Sequence, residues 1–177
     1  EYTMETMMKK VRIYSMVVII PLIAMMLSGC TAGEYIRYTG FMVDELGYSI
    51  IEGTETVEVN KIIKELTKED GTLIIPETVS FQGIEYTVTG IKPVAFYECV
   101  SLKQLYLPET LEIIGNGAFN GCTNLNSIYC AAVVPPCITE KVFEEVIFEM
   151  ATLYVPYPSV YKETPEWNKF KCIEVIR

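Results

Sequence analysis

Two stretches of this chain repeat one another at an offset of 23 residues, and that spacing narrows the fold more than any other feature. Ile91, Ala95, Phe96, Cys99, Leu102 and Tyr106 recur as Ile114, Ala118, Phe119, Cys122, Leu125 and Tyr129, and Leu105 is answered by Ile128. A unit this short holds one strand, one turn and one irregular or short helical return, which cannot bury both faces alone. Copies must therefore stack so that each covers the next, and the expected product is a solenoid. Within each coil Ala, Phe, Cys and Leu point inward, and the small Ala lets the chain pass close beneath the Phe ring.

Weaker traces extend the array on both sides. Leu73-Ile74-Ile75-Pro76-Glu77-Thr78-Val79 parallels Leu105-Tyr106-Leu107-Pro108-Glu109-Thr110-Leu111 as though a short insert followed the strand. The insert holds Gln82-Gly83, a turn signal, between Ser80-Phe81 and Ile84 to Val88, so a small β-hairpin is expected there. Leu153-Tyr154-Val155-Pro156 repeats the strand pattern downstream, and Thr139 to Phe148 ahead of it reads as one short amphipathic helix. Trp167, Phe170, Ile173 and Val175 suggest a closing helical turn and a last strand. At the front, Tyr48 to Ile51 and Thr56 to Asn60 flank Glu52-Gly53-Thr54-Glu55 and read as a hairpin that caps an otherwise aggregation-prone edge.

The first thirty residues carry a different message. Lys9, Lys10 and Arg12 precede an uncharged apolar run from Tyr14 to Leu27, and Leu27-Ser28-Gly29-Cys30 follows. This is the pattern of a secretory leader, and its end resembles the bacterial lipobox, in which the cysteine after the cut is acylated. The apolar run is shorter than the roughly twenty residues needed to cross a bilayer. The expected organisation is a lipoprotein signal peptide over 1–29, a tether and N-terminal β-hairpin cap over 30–70, and a repeat domain with its C-terminal cap over 71–177. Glu1 to Thr6 read as sequence upstream of a start at Met7 or Met8. Cys30 is the lipidation residue, so the membrane is reached through acyl chains, at about 0.8 kcal/mol per buried methylene.

Composition removes several function classes. A formal net charge of −9 argues against nucleic acid, because phosphate binding needs basic clusters that release counterions. Nor is there a Lys/Arg run to favour anionic lipid. The chain has no histidine, which excludes Ser-His-Asp and Cys-His catalysis and histidine-ligated metals. Of six cysteines, Cys30 is taken by lipid. The odd set Cys99, Cys122, Cys130, Cys137 and Cys172 reads as buried free thiols, with a disulfide among Cys130, Cys137 and Cys172 as the alternative. Glu140 and Glu144, with Glu145 and Glu149, would share helix faces, yet no cleft is marked for the paired-carboxylate chemistry of glycosidases. They read as solvated faces. Neither a calcium loop nor a phosphate-binding loop occurs, and no cofactor, metal or catalytic set is expected.

The doubled A-F-x-x-C-x-x-L, the Pro-Glu-Thr after a short strand, the Tyr86-Thr87-Val88-Thr89-Gly90-Ile91 entry and the closing Leu-Tyr-Val-Pro with a later Trp resemble the BspA-type leucine-rich repeats. The resemblance covers roughly Gly71 to Ile176. It implies an α+β solenoid, a short leucine-rich repeat array with parallel strands. It also implies a non-enzymatic binding or adhesion module of the bacterial envelope, exported and anchored to the outer membrane. A structural or accessory envelope subunit docking onto another membrane-associated protein is the alternative. The family's adhesins usually carry many more copies than the two clear ones here.

Strand alternation supplies a candidate site. If Leu105 and Leu107 point inward, Gln104 and Tyr106 point outward, and the same register sets Tyr129 and Tyr154 beside them. Tyr106, Tyr129 and Tyr154, with Gln104 and with Lys103 at the border, are the candidate contact residues for a protein or glycan. Tyrosine suits that task because it offers a large contact area with a polar tip. The competing reading is plain cross-strand packing.

Overall fold

The computed structural model describes residues 40–62, 70–139, 141–146 and 148–176. The leader, Cys30, the tether and Glu140 lie outside the described residues. In chain order the strands are β1 (Gly40–Val43), β2 (Leu46–Ile50), β3 (Thr56–Ile62), β4 (Thr72–Ile74), β5 (Thr78–Phe81), β6 (Ile84–Ile91), β7 (Gln104–Leu107), β8 (Ile113–Ile114), β9 (Ser127–Cys130), β10 (Cys137–Ile138), β11 (Thr152–Val155) and β12 (Cys172–Val175). One α-helix, α1 (Pro158–Glu163), and a 3-10 turn, Trp167–Lys169, separate the last two strands.

The repeat sets up two sheets. In one, the strands run in the order β12-β11-β9-β7-β4, all neighbours parallel. β7, β9 and β11 each alternate half-buried and buried residues, as a strand with one face on a core must. Leu73, Leu105, Ile128, Leu153 and Ile173 consequently form one inward row in strict register. The other sheet runs β1-β2-β3-β6-β8-β10, with β5 beside β6. There β6, β8 and β10 pair in parallel through Ile91, Ile114 and Ile138.

Between the sheets runs the irregular return of each copy. Phe96, Phe119 and Phe143 stack along it at 5.1 and 5.7 Å with nearly parallel rings, and Ala118, Cys122 and Leu125 are buried beside them. Backbone outside helix and sheet still needs partners, and adjacent copies supply them. The N–H groups of Val94, Phe96 and Glu98 donate to the carbonyls of Asn116, Ala118 and Asn120, and those of Phe119 and Gly121 to Val142 and Glu144.

Those bonds explain one correction. Residues 141–146 form a turn and not the expected amphipathic helix. A third, degenerate copy is present there, with Val142, Phe143 and Val146 buried in the places of Ala118, Phe119 and Cys122. Its carbonyls at Val142 and Glu144 accept from the second copy, and Lys141 and Glu145 take left-handed φ values of 60° and 67°. Helical backbone is incompatible with both. Glu144 and Glu145 are exposed on this turn, so the shared helix faces expected for these carboxylates do not form there. Glu144 bonds Asn120 and pairs with Lys141.

Both expected hairpins are present. β5 and β6 pair antiparallel around Gln82-Gly83. β2 and β3 pair antiparallel, and β3 then joins β6 in parallel. β1, which the sequence pattern did not suggest, adds a further antiparallel strand, and its Phe41 stacks on Phe81 at 4.2 Å. At the other end the 3-10 turn and β12 take the places expected of a closing turn and last strand. Tyr161 on α1 donates to the carbonyl of Ala132, and the Trp167 indole N–H to that of Pro136. Both rings are fully buried, so their polar atoms need these partners.

The cysteines divide differently from the expectation of uniformly buried thiols. All five described are free; Cys122 and Cys130 are buried, Cys99 and Cys172 half-buried, and Cys137 exposed. Burial pushes the Cys122 thiol up to about 12, which keeps it protonated and inert.

Candidate functional site

The outward rows of the all-parallel sheet carry the site. Register places Ile74, Tyr106, Tyr129, Tyr154 and Glu174 side by side, and Thr72, Gln104, Ser127, Thr152 and Cys172 in the row next to them. The tyrosine rings are stacked almost parallel. Tyr106 and Tyr129 lie 4.4 Å apart at 3°, and Tyr129 and Tyr154 lie 4.6 Å apart at 8°. These distances are close to the spacing of hydrogen-bonded strands, about 4.8 Å, so the rings simply stand above their own backbones. The arrangement follows from offsets alone, because each tyrosine holds the same place in its copy.

Stacking decides what the ladder offers. Both faces of Tyr129 are covered by rings, Tyr106 has Ile74 as its other register neighbour, and Tyr154 has Glu174. Ring edges and hydroxyl tips remain for contact, and the edges carry the positive part of the aromatic quadrupole. The Tyr106 hydroxyl donates to Gln104 Oε1 at 3.3 Å. Partial burial, and then the neighbouring Tyr106, hold the Tyr129 hydroxyl above its ordinary pKa. Along its centre the face carries no charged side chain and is half-buried, while Ile74 and Glu174 at its two edges are exposed.

Of the five candidate residues the structure brings four together: Gln104, Tyr106, Tyr129 and Tyr154. Lys103 stands in the turn immediately before β7. Its N–H donates to Gly71 and its carbonyl accepts from Asn126 and Ser127, and its stem lies against Gly71. That glycine, at φ 73°, sits where a Cβ would meet the Ser101 carbonyl at 2.5 Å. Ile74, 52% exposed, extends the face by one strand and was not among the candidates. The match of Leu73-Ile74 to Leu105-Tyr106 is the signal that marks it.

Parallel strands stacked at repeat spacing, with few helices and an aromatic outer face, define a leucine-rich repeat protein. Residues 78–164 match the family described as BspA type Leucine rich repeat region, in 6 copies. That segment is a BspA-type leucine-rich repeat region. Two solved structures share the fold. A leucine-rich repeat protein from Bacteroides capillosus is 18% identical with a TM-score of 0.50, and the match covers 66% of this chain and 98% of that one. A leucine-rich repeat protein from Bacteroides ovatus is 20% identical at a TM-score of 0.50, covering 76% of this chain and 41% of that one. This chain thus spans nearly all of the first and under half of the second. Among curated proteins none matches it.

Proposed function

We propose that this protein is an exported, lipid-anchored binding module whose tyrosine face is the contact surface for a polypeptide or glycan, with Cys30 as the acylated residue that ties it to the bacterial outer membrane. Leucine-rich repeat proteins are generally protein-binding or adhesion modules and not enzymes, which supports the class of activity. One observation carries the choice of face. Three tyrosines from three copies are kept in an unbroken outward stack although each position is half-exposed and none is needed to fill the core. This reading takes the stacked copies as a short solenoid, closed at the front by the β2–β3 hairpin and at the back by α1 and the 3-10 turn.

Covered ring faces favour a polypeptide over a sugar, because a pyranose stacks on an open aromatic face and the ladder presents edges. Cross-linking in whole cells tests the proposal. Wild-type protein should capture a partner that the Tyr106→Ser, Tyr129→Ser variant loses while it stays folded, its stability lowered only by about the 1–2 kcal/mol of two cross-strand pairs. Capture of the same partner by both would reject the face. A constant envelope partner would point to a docked accessory subunit, and capture of material added from outside to an adhesin. Loss of membrane association in Cys30→Ala tests the anchor separately.

A further inference from the structure

The return segment of the first full copy exposes three apolar side chains at intervals of three residues: Val94 at 60%, Tyr97 at 51% and Val100 at 55%. Equivalent positions in the second copy hold Gly117, Asn120 and Thr123, and in the third Lys141, Glu144 and Ile147. The fold therefore accepts glycine, amide, hydroxyl and charge at these places. Nothing in the packing requires the apolar set.

Val94 is also unfavourable where it stands. Its φ of 53° is left-handed, as is the 63° of its counterpart Gly117; glycine takes that conformation freely, whereas a β-branched residue there is a strained outlier. A strained and exposed residue that adds nothing to the core points to a role outside the fold, and a contiguous exposed apolar stripe marks a contact surface. The surrounding charge says what kind. Glu98 stands between Tyr97 and Val100 in the chain, and its N–H donates to Asn120, whose amide donates in turn to the exposed Glu144 beside Glu145; these carboxylates, Glu98 foremost, hold the Tyr97 hydroxyl above its ordinary pKa. Lys141, the cation of the third copy, is paired with Glu144.

We propose that Val94, Tyr97 and Val100 form a second docking surface, separate from the tyrosine face, for a polypeptide segment that presents apolar side chains beside lysine or arginine. The carboxylates attract such a segment and repel a second copy of this acidic chain or an anionic lipid surface. The two surfaces together let one small module bridge two partners.

The test gives the first copy the residues of the second, Val94→Gly, Tyr97→Asn and Val100→Thr, in the full chain. A phage-displayed random dodecapeptide library is selected on the wild type and counter-selected on this exchange variant. Enriched peptides should combine apolar with basic residues, bind the wild type at least about tenfold more tightly than the variant, and weaken as salt rises. The variant should melt no lower than the wild type. Four outcomes overturn the proposal: no peptides specific to the wild type; peptides without basic residues; a lower melting temperature in the variant, which would make the stripe part of the fold; or wild-type dimers that the exchange abolishes, which would make a second copy the occupant. Loss of the same peptides on the Tyr106→Ser, Tyr129→Ser variant would assign them to the tyrosine face. That result would overturn this surface while leaving the earlier proposal standing, so the two fail separately.

Discussion

Two aromatic ladders run through the same copies of this repeat, one inside and one outside. Phe96, Phe119 and Phe143 stack within the core at 5.1 and 5.7 Å, while Tyr106, Tyr129 and Tyr154 stack on the surface at 4.4 and 4.6 Å. The outer stack is the tighter of the two. Hydrogen bonds between strands hold the tyrosines at the spacing of the sheet, whereas the phenylalanines ride on irregular returns outside both sheets. Closeness of rings is therefore no measure of energetic weight. Phe119 is fully buried, and removing it leaves a cavity as well as unburied surface. Tyr129 is half-exposed, and removing it forfeits two cross-strand contacts.

The largest expected effect separates the ladders. Phe119→Ala should lower unfolding free energy by about 3–5 kcal/mol in urea titrations. Tyr129→Ser should cost about 1–2 kcal/mol, the loss of two cross-strand aromatic pairs, and should show mainly in partner capture. Equal costs would break the comparison by making the outer ladder structural. A smaller effect comes from pH. The Cys122 thiol, ordinarily near 9.0, is pushed to about 12 by burial, and Tyr48, ordinarily near 10.0, to about 12, chiefly by burial and then by Asp44. Folded groups that keep their protons longer than unfolded ones give stability that is complete below the unfolded value and is lost as pH rises through the folded one. Unfolding followed by circular dichroism should therefore show these contributions falling away from about pH 9 to pH 12. In Cys122→Val the decline should still begin near pH 9, carried by the Cys99 and Cys130 thiols that burial also raises, but it should be shallower up to about pH 12. An unchanged slope would remove Cys122 from the buried side of the comparison.

Much of this was legible in residue order. The doubled Ala-Phe-Cys-Leu set placed Ala118, Phe119 and Cys122 in the core, and the tyrosines at one offset placed the outer row. Gln82-Gly83 marked the β5–β6 hairpin, and Trp167 to Val175 the last turn and strand. The third copy was hidden because Val142 and Val146 stand where alanine and cysteine stood, and because Val142-Phe143 and Val146 also satisfy a helical period. The apolar stripe at Val94, Tyr97 and Val100 has no mark of its own until its counterparts in other copies are aligned and its exposure is known.

Period and alternation are properties of a single line of residues, so the sequence alone determined that copies would stack, which side chains would go inward and that three tyrosines would share a row. Contacts between copies are another matter. Whether residues 141–146 coil or turn, which thiols meet solvent, and whether the tyrosines present faces or edges depend on which carbonyl of one copy meets which N–H of the next. The tertiary structure alone decides these, because hydrogen bonds and ring contacts across copies set them, and those partners lie about two dozen residues away along the chain.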